Sequence, residues 1–373
     1  VKPVDLLAQL LDALRARASL DPAAIGEAAF GCVTQIGDQG GNIGKTALLR
    51  AGWPDSIPAM TVNRFCASAL DACVISANAI AAGQCGLALG GGVESMSRVA
   101  ILGDNGPYYA DKEIARQTRF VPMGEAADYI ATLEGVTRAE ADAYAAESQR
   151  RAAAARDGGR YKSLVAVETP GGRVEHDEII RGGVTAEKLA GFPPLFQEMG
   201  EAWADAYLTE AHPELDGVDH IHHVGNSPGM VDGASLVLLG SASGGQSQNL
   251  TPRARIVASA SAADDSLTAL SGGTLAAKRV MERAGMSIGD IDLIEVNEAF
   301  AAPTLVFMRD LGASHDAMNV NGGAISLGHP MGATGGMLIG MALDELELRD
   351  QSVGLIAISG AAGVGTAMII ERV

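Results

Sequence analysis

The stretch TVNRFCASALDACVISANAIAAG, residues 61–83, decides the fold. Thr61 and Val62 make a short β-prone lead, and from Cys66 onward small and apolar residues dominate up to Gly83. This pattern predicts a strand passing directly into a buried helix that the glycine closes. A cysteine at such a junction sits at the positive end of the helix dipole, beside the unpaired N–H groups of the first turn. That setting is expected to lower a thiol pKa and to make a nucleophile. Cys66 reads equally as a small buried hydrophobe, which is what most free cysteines are. The choice between the two rests on the rest of the chain.

Around this stretch, helical and strand patterns alternate. VKPVDLLAQLLDALRARASL (1–20) reads as an amphipathic helix with Pro3 in its first turn. AAFGCVTQIG (28–37) and GLALGGGVESMS (86–97) read as strands on either side of the Cys66 helix. Residues 252–373 repeat the plan with RARIVASASA (253–262) as strand, TLAAKRVMERAG (274–285) as helix and IDLIEVNEAF (291–300) as strand. A helix opened by HPMGATGGMLIGMALDELELRD (329–350) and the strand VGLIAIS (353–359) complete it. In each half a polar reactive residue precedes a small-residue helix: Cys66 in one, and in the other His329, with Pro330 at the favoured first helical position. A buried strand and a glycine-rich turn follow, GGGVE (90–94) or SGAAGVG (359–365). An internal duplication of a layered α/β unit explains this economically.

Between the halves the character changes. Residues 100–223 are helical, charged and aromatic, with EADAYAAESQRRAAAAR (140–156) expected as a surface helix laced by charge pairs. GSASGGQSQNLTPRAR (240–255) reads as a linker. The division expected is a first core domain of residues 1–99 and 224–251, an inserted loop domain of 100–223 carrying substrate contacts, and a second core domain of 252–373.

Composition narrows the class. A chain of 373 residues exceeds one ordinary core, and a formal charge of −18 without clustered Lys or Arg excludes a nucleic-acid surface. The four cysteines, Cys32, Cys66, Cys73 and Cys85, form no CxxC pair, so neither a zinc site nor a disulfide framework is expected, and a reducing, cytoplasmic compartment fits. No apolar run of about 18 residues predicts a membrane span, and no signal peptide opens the chain. The start at Val1, without a Met, suggests that an upstream piece is missing.

Three segments supply partners for Cys66. His329, in NGGAISLGHPMGATGG (321–336), stands in a glycine-rich loop where an imidazole can take a thiol proton. Asn297, in EVNEAF at a strand end, can aim an amide donor at a developing oxyanion, and SGAAGVG offers backbone N–H groups in a tight turn. Cys, His, Asn and a glycine-rich turn are what covalent acyl transfer through a thioester needs. Other candidates weigh less. Asp219, His220, His222 and His223 could ligate a metal, but adjacent histidines in a strand splay to opposite faces, so a surface cluster in the loop domain is expected. GAAGVG has the wrong glycine order for a dinucleotide loop. Glu94 and Glu298 are read as structural carboxylates, not a catalytic pair.

Taken together, VNRFCAS, GGGVESMS, GNSPGMVDGA, VNEAFA and NGGAISLGHPMGATG resemble the signature segments of the thiolase family, in that family's order across almost the whole chain. The resemblance implies the thiolase fold, with duplicated α/β core domains in layered αβαβα arrangement and an inserted loop domain. It implies ping-pong transfer on acyl-CoA or 3-oxoacyl-CoA, with coenzyme A as substrate, no bound cofactor, and a homodimer or homotetramer. Cys66 would be the acylated nucleophile and His329 its activator. Asn297 with His329 would form one oxyanion hole, and the backbone N–H groups of Cys66 and Ala361 the other. Met123, in FVPMGEAAD, and Phe300 would line the pantetheine and acyl tunnel, and Ser227 and Pro228 would meet the pantetheine arm.

Three departures stand out. Ser359 occupies the position where thiolases normally carry a second cysteine as the α-proton base, and a serine hydroxyl titrates far above a thiol. Pro228 stands where a serine commonly bonds the pantetheine arm, and proline offers no donor. An Ala-Arg-Thr-Pro-like first strand is not found before Val1. Two alternatives to a working thiolase follow: an acyl-CoA hydrolase or non-Claisen acyltransferase, and a non-catalytic acyl-CoA-binding member.

Overall fold

A computed structural model describes residues 1–373. Two four-stranded mixed sheets carry the architecture. In the first, β1 (Glu27–Gly31) lies between β2 (Ala59–Val62) and β3 (Leu87–Ser95), parallel to both, and β6 (Asp232–Gly240) runs antiparallel to β3. In the second, β8 (Leu293–Val296) is parallel to β9 (Val353–Ser359), β9 is antiparallel to β10 (Val364–Arg372), and β10 is antiparallel to β7 (Ala254–Ala263). The series β1–β3–β6 and β8–β9–β10 thus share order and direction, as a duplicated unit requires. Strands β4 (Val167–Thr169) and β5 (Gly172–Val174) form a separate hairpin.

Eight helices exceed two turns: α1 (Pro3–Ala18), α2 (Ile43–Arg50), α3 (Ser68–Ala81), α4 (Met123–Glu134), α5 (Arg138–Asp157), α6 (Gly272–Ala284), α7 (Ala301–Leu311) and α8 (Thr334–Arg349). Alternation along the strands sorts them into layers. Leu87, Leu89 and Val93 of β3 pack on α1 and α2 through Leu7, Leu11 and Leu48. On the second sheet, Ile356 and Ile358 pack with Leu70 of α3 and Leu338 of α8, while Leu355 and Ala357 pack with Ala277 of α6 and Ala301 of α7. Helices α3 and α8 are therefore sandwiched between the two sheets, and the layer order is αβαβα. None of the helices is long and apolar enough to cross a membrane.

Close packing of the central layer explains the glycines at positions 90–92. A Cβ on Gly92 would stand 2.0 Å from the carbonyl oxygen of Gly332, so the His329 loop rests directly on the β3 backbone.

The structure corrects three expectations. The segment 240–255 is no plain linker, because Gly240 ends β6 and a short helix, Ala242–Ser247, follows under a Ser241 cap. Helix α5 is not simply a surface helix. It carries the expected Glu147–Arg150 and Glu147–Arg151 pairs, yet Ala141, Tyr144, Ala145 and Ala152 are buried. Helix α8 begins at Thr334, not at Pro330, whose ψ of 65° is not helical, and a 3-10 turn over Met331–Ala333 intervenes. His329 is thus a loop residue held by its neighbours.

Candidate active site

Cys66 lies two residues before α3, on an elbow whose shape is forced. Phe65 has φ +48°, left-handed backbone that a bulky residue avoids at a cost of about 1–3 kcal/mol. The surroundings over-determine it. The Phe65 N–H donates to Asn63 Oδ1 at 2.7 Å, and Ser68 Oγ accepts from the Arg64 N–H at 2.8 Å while donating to the Phe65 carbonyl at 2.5 Å. Arg64 also pairs with buried Asp71 in the first turn of α3. The Cys66 N–H makes no bond to another residue's backbone.

The thiol is not acidified. Burial, and secondarily the nearby Glu94 carboxylate, push its pKa up to about 12, overturning the expected lowering. Part of the residue still reaches solvent. Its sulfur lies two residues before the first turn of α3.

Glu94 and Glu298 act as anchors. Glu94 accepts from the N–H groups of Val33 (2.8 Å), Thr34 (3.1 Å) and Gly332 (3.0 Å) and from Gln39 Nε2 (2.7 Å), joining the ends of β1 and β3 to the His329 loop. Glu298 accepts from Tyr144 (2.9 Å), Ser148 (2.8 Å), the Ile325 N–H (3.0 Å) and Asn319 Nδ2 (3.2 Å), fixing the other end of the same loop. With their oxygens so occupied, both carboxylates are structural.

The loop so held presents His329 with one nitrogen committed and one free. Its N–H donates to the Gly229 carbonyl at 2.9 Å, bringing it beside the GNSPG turn, and Nδ1 lies 2.7 Å from Thr334 Oγ1. Nε2 is buried without a partner. Burial pushes the His329 pKa down to about 4, so the ring is neutral. Asn297, one residue past β8, bonds the Ala357 carbonyl through its backbone at 3.0 Å and leaves both amide atoms buried and unpaired. Such orphans are rare in native structures, and water, an ion or a ligand can complete their bonding.

Position 359 closes the far side. Gly360 packs on Arg64 and Phe65, where a Cβ would stand 3.1 Å from both, so the turn after β9 abuts the Cys66 elbow, and the Ala361 N–H has no backbone partner. The Ser359 side chain is on the strand face shared with Ala357, toward α6, and its Oγ accepts the Gly273 N–H at 2.9 Å.

Met123 and Phe300 meet in one apolar cluster with Ala127, Ile130, Leu270 and Phe196. Phe196, edge-on to Phe300 at 5.9 Å, carried no motif and was missed, as were Thr334 and Asn319, whose roles depend on three-dimensional neighbours. Ser227 Oγ is buried and unpartnered beside half-buried Pro228. The expected surface histidine cluster is not on the surface. His222 and His223 are fully buried, bonded to Asp128 at 2.6 Å and Asp142 at 2.7 Å respectively, and only Asp219 is exposed. The segment pairs with no strand, so each ring follows the acid it bonds.

Family models for the N-terminal domain of thiolase and for its C-terminal domain match residues 1–207 and 250–372. The chain belongs to the thiolase family. It is 36% identical to a beta-ketoadipyl-CoA thiolase of Pseudomonas aeruginosa, over all of this chain and 94% of that protein. It is likewise 36% identical to a 3-ketoacyl-CoA thiolase of Saccharophagus degradans, over all of this chain and 93% of the relative. The crystal structure of the Bacillus anthracis acetyl-CoA acetyltransferase superposes with a TM-score of 0.85 at 28% identity, covering all of this chain and 93% of that one. This thiolase is accordingly an acyltransferase of the family's type.

Proposed function

We propose that this thiolase cleaves 3-oxoacyl-CoA by a ping-pong route through an acyl-Cys66 thioester. The observation that supports the reading is that His329 Nε2 and both amide atoms of Asn297 are buried without partners. The N–H groups of Cys66 and Ala361 are likewise free of backbone partners. Both Cys66 and His329 rest neutral, so the thiol gives its proton to Nε2 as sulfur attacks the 3-oxo carbon. Asn297 and the backbone N–H groups stabilise oxyanions as they form. The C2–C3 bond breaks, and C2 of the departing acetyl-CoA enolate takes up a proton by way of position 359. Coenzyme A returns that proton as its sulfur attacks the acyl-Cys66 carbonyl, and the expelled Cys66 thiolate recovers its own from His329. Met123, Phe300, Ser227 and Pro228 are assigned to the acyl and pantetheine arm, residues 100–223 to substrate contact between the core domains, and the assembly to a homodimer or homotetramer.

Ser359 supports a second reading. A serine oxygen held by the Gly273 N–H is a weak base, and relaying the C2 proton through it passes by an unfavourable alkoxide. Cys66 is then acylated at the thioester carbonyl of the acyl-CoA, whose C–S bond breaks to release coenzyme A as its thiol, and the adduct goes to water or another acceptor, giving a hydrolase or non-Claisen acyltransferase. Thiolysis assays with acetoacetyl-CoA, 3-oxoadipyl-CoA and longer 3-oxoacyl-CoA, read alongside intact mass, separate the two. Cleavage with an acyl adduct on Cys66 supports the first, an adduct without cleavage the second, and neither outcome with any substrate sinks both. Ser359→Cys is expected to raise thiolysis by about tenfold or more if the rest of the site is competent.

A further inference from the structure

A second cluster lies away from the elbow. Glu125 and Asp128, one turn apart on α4, face His220. His220 Nδ1 lies 3.1 Å from Asp128 Oδ2 and 3.9 Å from Glu125 Oε2, and one ligand atom from each residue falls within 4.8 Å of the others. On the far edge of the ring, Nε2 is 3.3 Å from Asp205 Oδ2. Glu125 is fully buried, and neither of its oxygens has a hydrogen-bond partner. The backbone has also been cut back around the ring. Residues Gly200–Ala204 form a π-turn, a feature frequent at functional sites, and a Cβ on Gly200 would stand 2.3 Å from His220 Cε1.

We propose that Glu125, Asp128 and His220 bind one divalent first-row transition cation of the Zn2+ or Mn2+ kind. Ligands at about 2.0–2.2 Å from such an ion are about 3.3 Å apart in a tetrahedral site, so the 3.1 Å and 3.9 Å separations need only small side-chain adjustments. Asp205 accepting from Nε2–H selects the tautomer that turns the Nδ1 lone pair toward the two acids. The other oxygen of Asp128 is already taken by His222 Nδ1 at 2.6 Å and by the N–H groups of Ile221 and His222 at 3.1 Å, which leaves Oδ2 for the metal. Two carboxylates and a neutral imidazole balance a double charge, and a nitrogen among the donors favours a transition metal over Mg2+ or Ca2+. Through His222, whose Nε2 accepts the Ala302 N–H at 3.3 Å and whose ring meets Phe300 at 5.4 Å, the ion would brace the inserted segment against the acyl-tunnel wall.

Chelator-treated, dialysed full-length protein titrated with Zn2+ and separately with Mn2+ in a calorimeter tests this. One equivalent per chain is expected, with a raised melting temperature, and unchanged stoichiometry in Cys66→Ala, which removes the thiol of the proposed active site as an alternative ligand. Glu125→Gln, which breaks no hydrogen bond, is expected to weaken binding by roughly a hundredfold, and Asp205→Asn, which only orients the ring, by about tenfold. No saturable binding of either ion to the parent, or equal binding in Glu125→Gln, overturns the proposal and leaves His220 as a protonated counter-charge to its acids.

Discussion

At the scale of the residue, the nucleophile proposed at Cys66 is built by position and not by acidity. Phe65 is held at positive φ by Asn63 and Ser68, which fixes the elbow that carries Cys66 into α3. The Cys66 thiol is raised to about 12, first by burial and then by Glu94, and the His329 imidazole is lowered to about 4 by burial. At neutral pH the free site therefore holds a thiol and a neutral base, not a preformed ion pair. Alkylation reads this directly, because only the thiolate reacts. Iodoacetamide labelling of Cys66, followed by mass spectrometry, is expected to be slow at pH 7 and to accelerate about tenfold per pH unit through pH 10. A plateau below pH 8 would show instead that His329 already holds the proton.

At the scale of elements, the site depends on how closely α3 and α8 cross. A Cβ on Gly335, in the first turn of α8, would stand 2.3 Å from the backbone nitrogen of Leu70 in α3. Backbone cannot yield there as a side chain can. Gly335→Ala should cost about 1–3 kcal/mol through overpacking, outweighing the roughly 1 kcal/mol that alanine gains as a helix former, and should carry the His329 loop away from Cys66. Gly340→Ala in the same helix meets only the flexible Ser163 side chain at 3.3 Å, so its melting temperature is expected to match the parent within a few degrees. Equal effects of the two substitutions, measured by thermal unfolding and activity together, would refute the argument. These crossings also show where the sequence was legible. The Cys66 helix, the strand ending just before Asn297 and the turn after Ser359 follow from period and glycine placement alone. The start of α8 was misplaced because Pro330 satisfies a first-turn preference, whereas Glu94 and Gly229 hold its neighbours Gly332 and His329 in a loop. Anchors of that kind come from positions more than 90 residues away and leave no local pattern.

At the scale of the whole molecule, the stretch 100–223 was the least legible part. Its histidines and acids read as surface charge because Asp and His are polar, but Asp128, Asp142, His222 and His223 are buried by pairing with one another, a long-range fact. Burial of such groups couples the site to global stability through protons. His329 carries the clearest case. Its pKa falls from the ordinary 6.5 to about 4 on folding, so the unfolded chain binds the proton first as pH drops. The stabilisation tied to neutral His329 is complete above pH 6.5 and is lost progressively toward pH 4, amounting to roughly 3 kcal/mol. The parent's total slope mixes signs, because half-buried Asp177, raised to about 6, titrates in the opposite sense over part of the same window. Only the difference between parent and His329→Gln isolates the term, since the amide does not titrate. Salt at about 0.5 M removes most of the general repulsion expected from a charge of −18, which would otherwise change as acids protonate. Under that condition the variant's stability relative to the parent should rise steadily from pH 6.5 to 4 in denaturant titrations. A difference independent of pH would mean that His329 is open to water in the folded protein, and that the neutral base in the mechanism is not enforced by burial.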